Sequence, residues 1–268
     1  MTVTLGPIGL HGGGELEPGD EPFLRAILGR AAAPADARVA GRVLRSPGAT
    51  DPSVRRIVVL PTAAAAERPD LAVEHARAAF ERVAAEMGVE VRVTAAMVVD
   101  AVTAGEPRWA AALAGADLVY VPGGDPGRIP TALRGSLAYD AMLDARARGA
   151  VIAGASAGAM ALAAWTWTPR GGVTGLGLVP GIVVVPHAER FAGAGAGTAD
   201  AWRRWLGDTV PSDLGILALD ERTGVVSGEA VGGGRRWEVA GAGRVRWMAP
   251  GASDPVTAAN GDLLLLPA

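Results

Sequence analysis

The chain has 268 residues, half of them hydrophobic and a fifth charged, with a formal net charge of −3. This is a globular composition sized for one large domain or two small ones. It lacks the basic excess that phosphate binding requires, so nucleic acid is not an expected partner. Cysteine is absent, which excludes disulfides, a thiolate nucleophile and cysteine-ligated metal centres; lysine is absent too, so all 25 basic residues are arginine and a lysine Schiff base and a Walker-A phosphate loop are excluded.

The first ten residues carry no basic segment, and every apolar run is broken by Pro or Gly before the roughly 18 residues a membrane span needs. No signal peptide or transmembrane helix is expected, and the cytoplasm is the default location. In chain order, residues 3–10 read as a strand ending in Gly12-Gly13-Gly14, and 21–31 as a helix. Residues 32–53, rich in Pro, Ala and Arg, read as an irregular insertion. Residues 56–60 form a buried strand. An amphipathic helix follows, with Asp70 as its cap, Ala76, Phe80, Val83, Ala84 and Met87 on one face, and Gly88 as its stop. Next come a strand at 89–93, a helix at 108–114, a strand at 117–121 that ends in Pro122-Gly123-Gly124-Asp125, a helix at 136–148 and a strand at 150–153. Ser156 then precedes a helix at 157–165. Such strand–helix alternation predicts an α/β fold: a mostly parallel, doubly wound sheet with function at the strand C-termini. A further strand at 181–185 leads to His187. Residues 192–197 are low-complexity alanine and glycine. From about residue 210 the pattern becomes short strands, at 215–219, 224–226, 236–239, 244–247 and 263–266, which read as an antiparallel β extension of the same domain.

The sharpest motif is Gly154-Ala155-Ser156-Ala157-Gly158-Ala159, a G-x-S-x-G between a strand and a helix. A serine on such a turn needs small neighbours, and in return its hydroxyl is exposed and the Ala157 N–H faces a developing oxyanion. A serine nucleophile needs a base, and there are three imidazoles to choose from. His75 sits in a helix beside Glu74 and reads as a surface residue. His11 opens the glycine turn and reads as its cap. His187, at a strand end, is the expected base. Glu189, two residues on, is the expected third member, with Glu15 and Asp220 as alternatives. Backbone N–H groups of Gly123 and Gly124 complete the expected oxyanion hole, and Asp125, Arg128 and Glu15 are the expected substrate-binding residues. This set calls for no cofactor and no metal.

Taken together these segments resemble the cyanophycinase and aspartyl dipeptidase family of serine peptidases. The resemblance rests on Gly12–Glu15, on Leu60-Pro61-Thr62-Ala63, on Gly123-Gly124-Asp125 followed by Arg128 and Ile129, and on Gly154–Ala159. It continues through Gly175-Leu176-Gly177-Leu178-Val179-Pro180-Gly181 leading to His187, and Leu219-Asp220-Glu221-Arg222-Thr223. It implies a class I glutamine amidotransferase-like fold over residues 1–268. It also implies serine-type hydrolysis of amide or peptide bonds through a Ser-His(-Glu) acyl-enzyme, with a small peptide or amide substrate. Val185-Pro186-His187-Ala188 stands where the family tends to have Asp-Gln-His-Phe, and no acid lies between Met160 and Pro186, which marks a divergent branch. A homodimer is the default assembly. An α/β-hydrolase esterase is disfavoured, because that fold places its histidine last and no histidine follows His187. The competing reading from another class is a weakly active or inactive amidotransferase-like domain that binds a small ligand or a protein.

Overall fold

The structure is a computed structural model that describes residues 5–31, 54–191, 199–206 and 210–267. The irregular segment expected at 32–53 and the alanine–glycine run lie outside the described residues. The N-terminal half contains β1 (Ile8–His11), α1 (Glu21–Arg30), β2 (Arg55–Val59), α2 (Pro69–Met87), β3 (Val91–Ala95), α3 (Ala101–Ala104), α4 (Pro107–Ala114), β4 (Leu118–Val121), α5 (Arg128–Leu133), α6 (Leu137–Ala147) and β5 (Val151–Ala155). It continues through α7 (Ala157–Leu162), β6 (Ala163–Thr166), β7 (Val173–Thr174), β8 (Val179–Val185) and α8 (Ala199–Leu206). The C-terminal part holds β9 (Gly215–Leu219), β10 (Thr223–Val231), β11 (Gly234–Gly241), β12 (Val245–Met248), β13 (Val256–Ala258) and β14 (Leu263–Pro267).

The strands form two sheets. The larger has the order β14-β11-β10-β1-β5-β4-β2-β3 and the smaller β13-β12-β9-β8-β6-β7. Five neighbours of the larger sheet, from β1 to β3, are parallel, and β10, β11 and β14 extend it antiparallel, as the sequence pattern predicts. Its central strands are buried on both faces. Val58 and Leu60 point into one core with Val119, Val121 and Ile152, while Ile57 and Val59 point into another with Phe23, Ile27 and Phe80 of the covering helices. Each such Val, Ile or Leu contributes about 1.5–3 kcal/mol by leaving water. Helix α2 buries Val73, Ala76, Ala79, Phe80, Val83 and Ala84 and stops at Gly88, whose φ is 65°. Asp70 is not its cap: the N-cap is Arg68, and Asp70 lies in the first turn, bonded to the Arg68 guanidinium.

The second sheet was not legible in the pattern. The helix after Ser156 was expected to run to Trp165, but it ends at Leu162 and the chain turns into strand β6. The cause is tertiary: β6 pairs in parallel with β8, and Trp165 packs into a third core with Val183, Val185, Trp202 and Ile216. The C-terminal strands then alternate between sheets. Strand β9 adds to the small sheet, β10 and β11 to the large one, β12 and β13 to the small one, and β14 to the large one. The turn between β9 and β10 therefore crosses from one sheet to the other. Among the described residues no helix is long and apolar enough to span a membrane.

At the base of the large sheet, buried Asp117 ties β2 to the start of β4. It accepts from the Arg56 backbone N–H at 2.8 Å, from Nε at 3.0 Å and from Nη2 at 2.8 Å. Replacing it strands a half-buried guanidinium and a backbone N–H. Asp117→Ala is expected to lower unfolding free energy by about 2 kcal/mol, read as a lower urea midpoint with an unchanged slope.

Candidate active site

Four strand ends from two sheets meet at one point. In the large sheet β1 and β5 run parallel with His11 opposite Ala155, so the glycine turn after β1 lies beside Ser156. In the small sheet β8 and β9 run parallel with Val185 opposite Ala218, so His187 and the 220–222 turn leave the same edge together. The two edges are stitched by backbone. Gly12 N–H donates to the Thr223 carbonyl at 2.9 Å, and Arg222 N–H donates to the Gly13 carbonyl at 2.8 Å.

Ser156 has φ 48° and ψ −113°, a conformation that a non-glycine residue adopts at a cost of about 1–3 kcal/mol. The turn closes because its neighbours lack side chains: a Cβ on Gly158 would stand 2.0 Å from the Val121 carbonyl oxygen. The Ser156 N–H donates to the His11 carbonyl at 2.9 Å, which fixes the elbow to β1. Its hydroxyl lies 2.7 Å from His187 Nε2, and His187 Nδ1 lies 3.0 Å from Glu221 Oε1. Both contacts are satisfied by the tautomer protonated on Nδ1: Nδ1–H donates to Glu221, and Nε2 accepts from the serine. His187 has φ 133°, and its ring lies against the backbone of Gly13, where a Cβ would stand 2.0 Å from Cε1.

The carboxylate on the imidazole is therefore that of Glu221, not of Glu189. A 3₁₀ turn at Ala188–Phe191 carries Glu189 away from the ring, and its Oε2 accepts the Glu221 backbone N–H at 3.1 Å. Arg190 bonds to Oε1 of Glu221, the oxygen that also receives His187. Asp220, the other alternative, is committed to Arg246 at 2.7 Å and to the Arg244 N–H at 2.9 Å. Glu221 was within reach of sequence reasoning, since it directly follows a strand that ends at Leu219. The parallel pairing of β9 with β8 that brings it to His187 was not.

Gly123 lies beside the nucleophile: a Cβ placed on it would stand 3.3 Å from Ser156 Cβ and 2.6 Å from Glu15 Oε1. Its N–H donates to Glu15 Oε1 at 2.9 Å. Gly124 turns toward another neighbour; a Cβ there would meet the Ala63 carbonyl oxygen at 2.4 Å. Ala157 opens α7 next to the serine, where the first N–H has no intrahelical acceptor. Asp125 and Arg128 face each other at 3.6 Å on the wall of a cavity of about 560 Å³, shared with Asp100, Thr131 and Arg170. Among the described residues no hydrogen bond or ion pair joins either of them to Ser156 or His187.

Below the site His11 and Asp20 form a fully buried pair, His11 Nε2 to Asp20 Oδ1 at 2.7 Å. His11 Nδ1 accepts the Gly13 N–H at 3.3 Å, and Asp20 Oδ2 accepts the Leu16 N–H at 2.9 Å. The pair thus holds both ends of the loop that carries Gly13 and Glu15. Tyr120, fully buried nearby, has its phenol pushed well above the usual range by burial and, to a lesser extent, by the negative charges of Glu15 and Asp20. His75 is exposed on α2. Among the described residues no group of three or more His, Asp or Glu side chains is arranged to hold a metal ion.

The fold is shared with a solved structure. A peptidase from an acI-B1 Actinobacterium superposes with a TM-score of 0.72 at 22% identity over 98% of both chains, which shows a common fold. A putative Peptidase E protein from Listeria monocytogenes EGD-e aligns at 15% identity over 83% of this chain and 94% of its own, with a TM-score of 0.46. Comparison with curated proteins returns no match. Residues 47–226, from before β2 into β10 and including the serine elbow, His187 and Glu221, match Peptidase family S51, and the chain belongs to that family of peptidase-like hydrolases.

Proposed function

We propose that the protein is a serine-type peptidase that cleaves amide bonds through an acyl-enzyme on Ser156. The observation that carries this reading is the unbroken hydrogen-bonded chain from Ser156 Oγ through His187 to Glu221 on a strained elbow. His187 Nε2 takes the hydroxyl proton as Oγ attacks the carbonyl carbon. Glu221 holds the ring in the required tautomer and stabilises the imidazolium that forms. The N–H groups of Ala157 and Gly123 receive the oxyanion. His187 then passes the proton to the leaving amine, and water, deprotonated by the same imidazole, releases the acid. Glu189 supports Glu221 through its backbone, and Arg190 neutralises part of its charge. Family membership favours small peptides, with Asp-Xaa and isoaspartyl amides as the first substrates to test.

Measured on any amide that the wild type hydrolyses, Ser156→Ala and His187→Ala are expected to reduce turnover to background. Glu221→Gln is expected to cost about 10²–10⁴ in kcat, whereas Glu189→Gln, which keeps an acceptor for the Glu221 N–H, is expected to cost less than about tenfold. The reverse ranking of the two glutamates would place Glu189 in the triad. Gly13→Ala pushes a methyl group into the imidazole at a positive φ. It is expected to lower kcat by at least about 10²-fold while the protein remains folded by circular dichroism.

A further inference from the structure

Glu15 occupies the place that the reaction needs. Its Oε1 accepts from the Gly123 N–H at 2.9 Å, and that N–H is the donor assigned to the oxyanion. The carboxylate is not there by chance of a free side chain. Leu16, the next residue, holds φ 69°, and its N–H is fixed by Asp20, which is in turn fixed by buried His11. The loop is therefore built to present Glu15 at the serine. Other acids nearby have side-chain partners within the chain: Asp20 faces the His11 imidazole, Glu17 faces Arg222, and Glu221 faces Arg190. Among the described residues no arginine or histidine nitrogen pairs with Glu15, whose hydrogen-bond partner is the Gly123 N–H.

A carboxylate next to a forming oxyanion raises the barrier, because two negative charges a few ångströms apart in a partly dry site repel strongly. The reaction then needs a compensating positive charge, and among the described residues no cation pairs with Glu15. We propose that Glu15 is a specificity residue that reads a positive charge on the substrate beside the scissile carbonyl. This rests on Ser156 and the Gly123 N–H acting as assigned above. An ammonium or guanidinium on the acyl group pairs with the Glu15 carboxylate, draws it off the Gly123 N–H and frees that donor for the oxyanion. A neutral acyl group leaves the carboxylate in place and reacts slowly. The charge has two chemical sources, a free α-amino group or a basic side chain.

Three diphenyl phosphonates that form tetrahedral adducts on a serine separate these sources: the alanine analogue with a free amine, its N-acetyl form, and the N-acetyl arginine analogue. Phosphonylation rates at Ser156 are followed by mass spectrometry at a pH where the amine is protonated. In the wild type at least one cationic probe is expected to react about tenfold or more faster than N-acetyl-alanine, and the faster arm identifies the source. In Glu15→Gln that ratio is expected to fall to within about twofold, and in Glu15→Ala, which also vacates the donor, the neutral probe is expected to accelerate. Labelling of Ser156 with no preference for charge, or with a preference unchanged in both variants, overturns the role of Glu15 and leaves the serine hydrolase reading intact. A wild type that none of the three probes labels overturns the nucleophile assignment itself, and the role of Glu15 with it.

Discussion

The site depends on one constraint: the imidazole of His187 must bridge groups that belong to different sheets. Ser156 ends a strand of the large sheet, and Glu221 follows a strand of the small one. Neither sheet alone supplies the proposed nucleophile, base and orienting carboxylate together. What brings them together is parallel pairing on each side, β1 with β5 and β8 with β9, and a backbone seam in which Gly12 and Gly13 bond the 222–223 turn. Among the described residues, the non-glycine positions with positive φ are Leu16, Ser156, His187 and Arg222. Two are the proposed nucleophile and base, and two directly follow Glu15 and Glu221. Strain of this kind persists where the surrounding structure over-determines it, and here it surrounds a single point.

The electrostatics follow from the same convergence. Glu221 serves His187 and Arg190 through one oxygen, so the charge that orients the imidazole is shared with an arginine on the adjoining turn. The chain has no lysine, and its cations in this region are arginines, whose planar forks pair with carboxylates in fixed geometry. Buried His11 and Asp20 add a second pair below the first. That pair takes no part in the proposed proton transfers, but it holds the loop whose glycine supports the His187 ring.

Much of this was legible in the sequence wherever the determinants are local. The elbow was readable because Gly154, Ser156 and Gly158 sit between a buried apolar strand and a helix, and their spacing has a steric cause. The parallel strands of the large sheet were readable as short apolar runs between amphipathic helices, and His187 as the imidazole that faces Ser156, from its place at a strand end. What escaped is non-local. Residues 163–165 read as helical until β8 offers a parallel partner. Glu189, two residues after the histidine, reads as its partner, yet a 3₁₀ turn commits its carboxylate to the Glu221 backbone instead. The role of Glu221 depends on strand order between β8 and β9, which no local pattern encodes.

The most direct test of the account is the site of covalent capture by a small fluorophosphonate, mapped by peptide mass spectrometry. A single adduct is expected on the peptide that contains Ser156, formed in the wild type and lost in His187→Ala with the fold intact. Capture elsewhere, or at Ser156 with an undiminished rate when His187 is removed, would contradict it.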